Sequence, residues 1–201
     1  YKDMMKHVEE MFTSLLQDVF KTTIIEYDGK KLDFKTPWRR VEYAKLIKQY
    51  AKVDIEELNK AALMKKAKEL GVPVESNFSK AKIADAIMKK YCLPKLWEPT
   101  FIIHYPVNSI PLAKKLDEDD SKLGAFQLVI AGWELVKAYS ELNDPIEQRR
   151  VFKEQEKLYK KGDTEAQVLD EQRSDEQAHH RDQVAEQVVV EFDLVHEAGE
   201  H

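Results

Sequence analysis

Apolar side chains at Met4/Met5, Val8, Met11/Phe12, Leu15/Leu16 and Val19 recur three and four positions apart, which predicts an amphipathic helix over residues 2–20. The period then changes. TTIIEY alternates and is rich in β-branched residues, Asp28-Gly29 follows, and KKLDF alternates again. An Asp-Gly pair between two such runs predicts a two-residue hairpin, because that turn needs positive φ. Residues 37–40, Pro-Trp-Arg-Arg, end this unit. Helical spacing returns over 42–51, and 54–97 reads as a compact helical insertion. There Asp54 and Glu57 stand as a capping-box-like start and Gly71 as a stop. Residues 72–78 are extended, and Ser79 caps a second helix with Ile83, Ile87 and Met88 on one stripe. Pro94 and Pro99 bracket the exit.

TFIIHYPV (100–107) has the continuous apolarity of a buried strand ended by Pro106, and a long connection through IPLAKKLDEDDSKLG follows it. FQLVI and WELVKAYSEL then flank Ala131-Gly132 and predict a second hairpin. Asp144 as N-cap, Pro145 at the first helical position and Glu147 at the third specify a helix that Gly162 closes.

The second hairpin concentrates the candidate chemistry. Pairing across Ala131-Gly132 brings Gln127 near Glu134. Along the second strand Lys137, Tyr139 and Glu141 alternate and share one face, whereas Glu134 has the opposite parity. One pocket uses Glu134 and Glu141 together only if a bulge falls between them, most simply at 135–137. His104 lies in an apolar strand with no evident partner and reads as a core or strand-edge histidine.

Composition narrows the class. A chain of 201 residues with 43% hydrophobic content holds one ordinary domain, or one with a small insertion. With no run of eighteen apolar residues and no signal-like start, the expectation is a soluble, cytoplasmic protein without membrane contact. Lone Cys92 cannot close an internal disulfide and reads as a buried structural thiol.

The net charge of −5 is unevenly distributed. From residue 171 onward nine acidic residues face two arginines, lysine does not occur after Lys161, and isoleucine stops at Ile146. Residues 171–201 therefore read as a divergent acidic tail: a polar helix, then VVVEFDLV as a candidate strand. His179 and His180 are adjacent, leave a helix in different directions, and make a poor zinc pair. Lys65, Lys66, Lys68, Lys80, Lys82, Lys89 and Lys90 make the insertion a candidate nucleic-acid surface; the plainer reading is the solvated faces of two amphipathic helices.

The runs FIIHYPVNSIPLAKK, FQLVIAGWELVKAYSELNDPIEQRRVFKEQEKL and GDTEAQ resemble the catalytic domain of class II lysyl-tRNA synthetases. The similarity begins at YKDMM, runs through PWRRV and the insertion, and covers residues 1–170. It implies an α+β fold: a partial class II antiparallel sheet with flanking helices, residues 1–40 and 98–170 as catalytic core and 41–97 as helical insertion. It implies lysine, ATP and tRNA as substrates, Mg²⁺ on the ATP phosphates, and a homodimer, although this stretch lacks that family's dimer motif. Positions matching Gln127 and Glu134 would hold the metal, where Gln127 offers only a neutral oxygen in place of an acid. Positions matching Lys137, Tyr139 and Glu141 would contact substrate lysine, where Lys137 replaces an asparagine with a cation. The tail carries neither the glycine-rich third motif nor its arginine, so a frameshift or fusion is the expected origin of that end, and the isolated chain is expected to be inactive in adenylation. The other readings are a non-catalytic module binding tRNA or protein through the lysine-rich insertion, and a paralogue that lysylates protein.

Overall fold

A computed structural model of the chain describes residues 1–160 and 188–191. Helix α1 (Lys2–Phe20) forms where the apolar stripe predicts it, burying Met5, Val8, Glu9 and Leu16. Met11, Leu15 and Val19, also on the predicted stripe, remain exposed. Strands β1 (Ile24–Tyr27) and β2 (Lys30–Asp33) pair antiparallel around Asp28-Gly29. Both turn residues have positive φ, 49° and 67°, the requirement that made Asp-Gly a hairpin signal.

Arg39 and Arg40, given by the sequence pattern to the end of the hairpin unit, and Glu42, given to the helix after it, form with Val41 a strand instead, β3 (Arg39–Glu42). It feeds α2 (Tyr43–Ala51), α3 (Lys60–Glu69) and α4 (Lys80–Tyr91), and the chain returns as β4 (Thr100–Pro106) alongside β3 in parallel. The helices form the crossover that a parallel pair requires. Ser79 caps α4 as expected, its hydroxyl accepting from the Lys82 N–H. The start expected at Asp54 is displaced: Asp54 Oδ1 accepts from the Glu56 and Glu57 N–H groups in a local turn, and the helix begins at Asn59, whose side chain accepts from the Ala62 N–H.

Strands β5 (Lys122–Ile130) and β6 (Trp133–Ser140) form the second predicted hairpin. Ala131 and Gly132 turn it with φ of 52° and 81°, and their N–H groups donate to the Trp97 and Leu96 carbonyls at 2.8 Å. The tip is thereby fastened to the crossover. Helix α5 (Pro145–Lys160) follows, with Asp144 Oδ1 accepting from the Ile146 and Glu147 N–H groups. Strand β7 (Val188–Glu191), the first half of the expected tail strand, pairs antiparallel with β6. The helix expected before it, and His179 and His180, lie outside the described residues. The five-stranded order is β3-β4-β5-β6-β7, antiparallel except for its first pair. The architecture is α+β, as expected.

Two apolar clusters sandwich this sheet. On one face Phe101, Phe126, Leu128, Val136 and Ala138 meet α1 and the first hairpin, with Phe34 and Trp38 between them. On the other face Ile102, Tyr105, Ala125, Val129 and Tyr139 meet the buried side chains of α2, α3 and α4. A sheet covered on both faces explains why β5 reads as an almost unbroken apolar run. Phe101, Ile102, Phe126 and Leu128 are completely buried, and each such side chain stabilises the fold by about 1.5–3 kcal/mol.

Candidate functional site

The β5–β6 register contains the irregularity that the sequence parity demanded. Val129 pairs with Glu134, but Leu128 pairs with Val136, leaving Leu135 as an extra residue. Beyond it Gln127 pairs with Lys137 and Ala125 with Tyr139. The bulge therefore brings Glu134 onto the face shared by Gln127, Lys137 and Tyr139, and extended alternation places Glu141 there too.

A second irregularity supplies a residue the sequence did not advertise. Between Ile103 and Tyr105 the β4–β5 register shifts, and His104 takes φ 57°. Ile102 and Tyr105, three positions apart, consequently lie in the same apolar cluster. From there the Tyr105 hydroxyl donates to Gln127 Oε1 at 2.5 Å, and its ring meets that of Tyr43 at 4.7 Å between centroids. Burial, augmented by the Glu134 and Asp85 carboxylates, pushes the Tyr105 phenol well above its ordinary value, so it keeps its proton.

Gln127, Glu134 and Lys137 line one cavity of about 310 Å³, with Tyr43, Tyr105, Lys82, Asp85 and Lys89 among its other walls. Tyr139 is buried nearby on the same face but is not one of these walls. Glu141 is half-buried and stands at a separate place. There Ala113 bridges to it, the Lys114 N–H donates to the Ser140 carbonyl, and the Gly124 N–H donates to the Lys114 carbonyl. Residues 111–114 thus wedge between the splayed ends of β5 and β6. The candidates accordingly divide into a trio around the cavity, with Tyr139 and Glu141 toward the wedge.

A larger cavity of about 830 Å³ adjoins the first and shares Ser79, Ala81, Asn108, Gln155 and Leu158 with it. His104 borders this larger space. Burial lowers its pKa, partly opposed by Glu42, and its Nε2 lies 3.4 Å from the Tyr1 hydroxyl. The smaller cavity carries the denser set of converging polar groups, the character of a specific binding site.

As a magnesium site the smaller cavity fits poorly at its Gln127 end. The Gln127 oxygen already accepts from Tyr105, the amide is neutral, and the residue directly across the strands is a lysine. Asp85 faces Lys89 at 3.0 Å, and Glu134 is the other carboxylate of the wall. Among the described residues no three His, Cys, Asp or Glu groups are placed to hold a metal.

Of the insertion lysines, Lys66 pairs with Glu69, Lys89 with Asp85, and Lys90 donates to the Leu70 and Gly71 carbonyls. Lys82 stands 4.9 Å from the Phe78 ring centroid. Cys92 is buried, as its sequence setting indicated. Among the described residues no helix is long and apolar enough to cross a membrane.

The 40% identity to the lysine–tRNA ligase of Porphyromonas gingivalis runs over 173 residues, 85% of this chain and 30% of that protein. The corresponding enzyme of Thermosipho melanesiensis is 40% identical over 178 residues, covering 85% and 34%. That of Chloroflexus aurantiacus is 39% identical over 172 residues, covering 85% and 35%. The chain thus spans about a third of the length of these relatives. The family model of the tRNA synthetases class II (D, K and N) matches residues 1–196, continuing into the stretch that the composition break set apart. With that match extending along nearly all of its length, the chain belongs to the class II tRNA synthetases (D, K and N).

Proposed function

We propose that the chain is the lysine- and nucleotide-facing part of a lysine–tRNA ligase, which activates lysine with ATP and transfers it to tRNA. The observation that carries this reading is the Leu135 bulge. It puts Glu134 on the same sheet face as Gln127, Lys137 and Tyr139, in a chain 40% identical to lysine–tRNA ligases. In the reaction a lysine carboxylate oxygen bonds to the α-phosphorus of ATP while the bond to pyrophosphate breaks, and no protein nucleophile is needed. The protein's part is to fix the two reactants in line and to stabilise charge as it moves.

The cavity trio serves the nucleotide and the wedge serves the amino acid. The Glu141 carboxylate pairs with the ε-ammonium of lysine, and the Tyr139 ring walls its alkyl stem. Glu134 supplies a carboxylate that would share a magnesium ion with the phosphates. Binding of labelled lysine, measured by equilibrium dialysis, tests the assignment directly. Wild-type chain binds, and Glu141→Gln loses at least tenfold in affinity, in keeping with removal of a charge-assisted hydrogen bond. Unchanged lysine affinity in Glu141→Gln removes Glu141 from the role given to it.

A further inference from the structure

Gln127 is 9% exposed, yet it borders the cavity, and the Tyr105 hydroxyl consumes its oxygen. Turning the amide over would offer Tyr105 an N–H in place of an acceptor and leave the buried phenolic proton unsatisfied, which costs roughly 1–3 kcal/mol. The orientation is therefore fixed by Tyr105, and the amide nitrogen is the end left to the cavity. That nitrogen makes no hydrogen bond among the described residues. Directly opposite in the β-ladder is Lys137, another wall of the cavity. Donor groups therefore stand together at the Gln127 end of a cavity whose other walls include the Glu134 and Asp85 carboxylates.

Resting on the nucleotide-binding reading above, we infer that Gln127 and Lys137 form a direct anion subsite for ATP phosphate oxygens, with the lysine ammonium replacing a divalent ion at this position. Tyr105 is its positioning residue: it touches no phosphate, but it holds the amide with N–H outward. A neutral amide and an ammonium repel or ignore Mg²⁺, whereas both donate to a phosphate oxygen, and the charged donor makes the stronger bond. The exchange also has an electrostatic signature. A built-in cation matters most when the triphosphate arrives without metal, because its charge is then unshielded.

The test measures ATP affinity of the chain by equilibrium dialysis at constant ionic strength, in EDTA and across a magnesium titration. Wild type is expected to retain metal-free ATP binding, and Lys137→Met to weaken it about tenfold while weakening magnesium-ATP less. Lys137→Arg keeps the charge and retains metal-free binding. The double variant Gln127→Glu/Lys137→Asn is expected to lose metal-free binding and recover it in magnesium, with a steeper dependence on the ion. Tyr105→Phe lets the amide turn and weakens metal-free binding several-fold without altering the steepness. Equal metal-free affinity in wild type, Lys137→Met and the double variant overturns the subsite while leaving nucleotide binding intact. No ATP binding by wild type under either condition overturns the nucleotide reading, and this subsite falls with it.

Discussion

Glu9 shows how a residue hides its role from periodicity. It lies beside Val8 on α1, where a glutamate reads as solvent-facing, yet it is only 7% exposed. Its carboxylate accepts from the Trp38 N–H at 2.8 Å and meets Arg40 at 3.4 Å, fastening α1 to the start of β3. Nothing local distinguishes it from Glu10, because both partners are about thirty positions away. Glu9→Ala strands a buried N–H and should cost about 1–3 kcal/mol in urea denaturation, whereas Glu9→Gln keeps an acceptor and should cost less. Cys92 was legible, since an isolated thiol among apolar residues is most simply buried. Burial pushes its pKa up to about 12, and its Sγ points to the Leu46 carbonyl at 3.7 Å. A thiol-specific disulfide reagent at pH 8 should therefore leave native protein unlabelled and titrate one thiol after denaturation.

At the scale of elements, the two hairpins were legible because Asp28-Gly29 and Ala131-Gly132 sit between strand-like runs, and glycine supplies the positive φ that such turns require. The Leu135 bulge was legible only by combining parity with the demand that Glu134 and Glu141 serve one site. The irregularity at His104 was not legible. A left-handed residue inside an apolar strand leaves no trace in periodicity, although histidine tolerates that conformation better than branched residues do. Tyr105 was missed for the same reason, because ordinary alternation sends it to the opposite face. The Asp54 start failed because two sets of capping chemistry compete nearby: Asp54 is spent on a turn and on Lys48 at 2.6 Å, while Asn59 caps the helix. Asn59→Ala should therefore destabilise the fold by about 1 kcal/mol in chemical denaturation. Asp54→Ala should leave the helix content seen by circular dichroism unchanged.

Across the whole molecule, the parallel β3–β4 pair was the piece of topology that local patterns could not supply, since its partners are separated by three helices. The placement of α5 is similarly non-local, and it bears on the site because Gln155 and Leu158 border both cavities. Glu147 ties the first turn of α5 to the long connection. It pairs with Lys115 at 2.8 Å on the long connection and with Arg150 at 2.7 Å within the helix. Arg150 and Lys115, in that order of effect, hold the Glu147 carboxyl down to about 2 from its ordinary value of 4.5. A group whose pKa is depressed on folding contributes stability that is complete above its unfolded value and disappears as pH falls through its folded value. Stability should therefore decline from about pH 5 toward pH 2 in wild type, through loss of the tie between α5 and residues 107–121. Because both Glu147 and its partners are partly solvated, the contribution is modest and screened by salt. Glu147→Gln should melt at a lower temperature than wild type at pH 7, show a shallower acid slope, and converge with wild type near pH 2. Thermal denaturation across that range at low and high salt checks the sign. A variant with the wild-type slope would locate the acid sensitivity of the fold elsewhere.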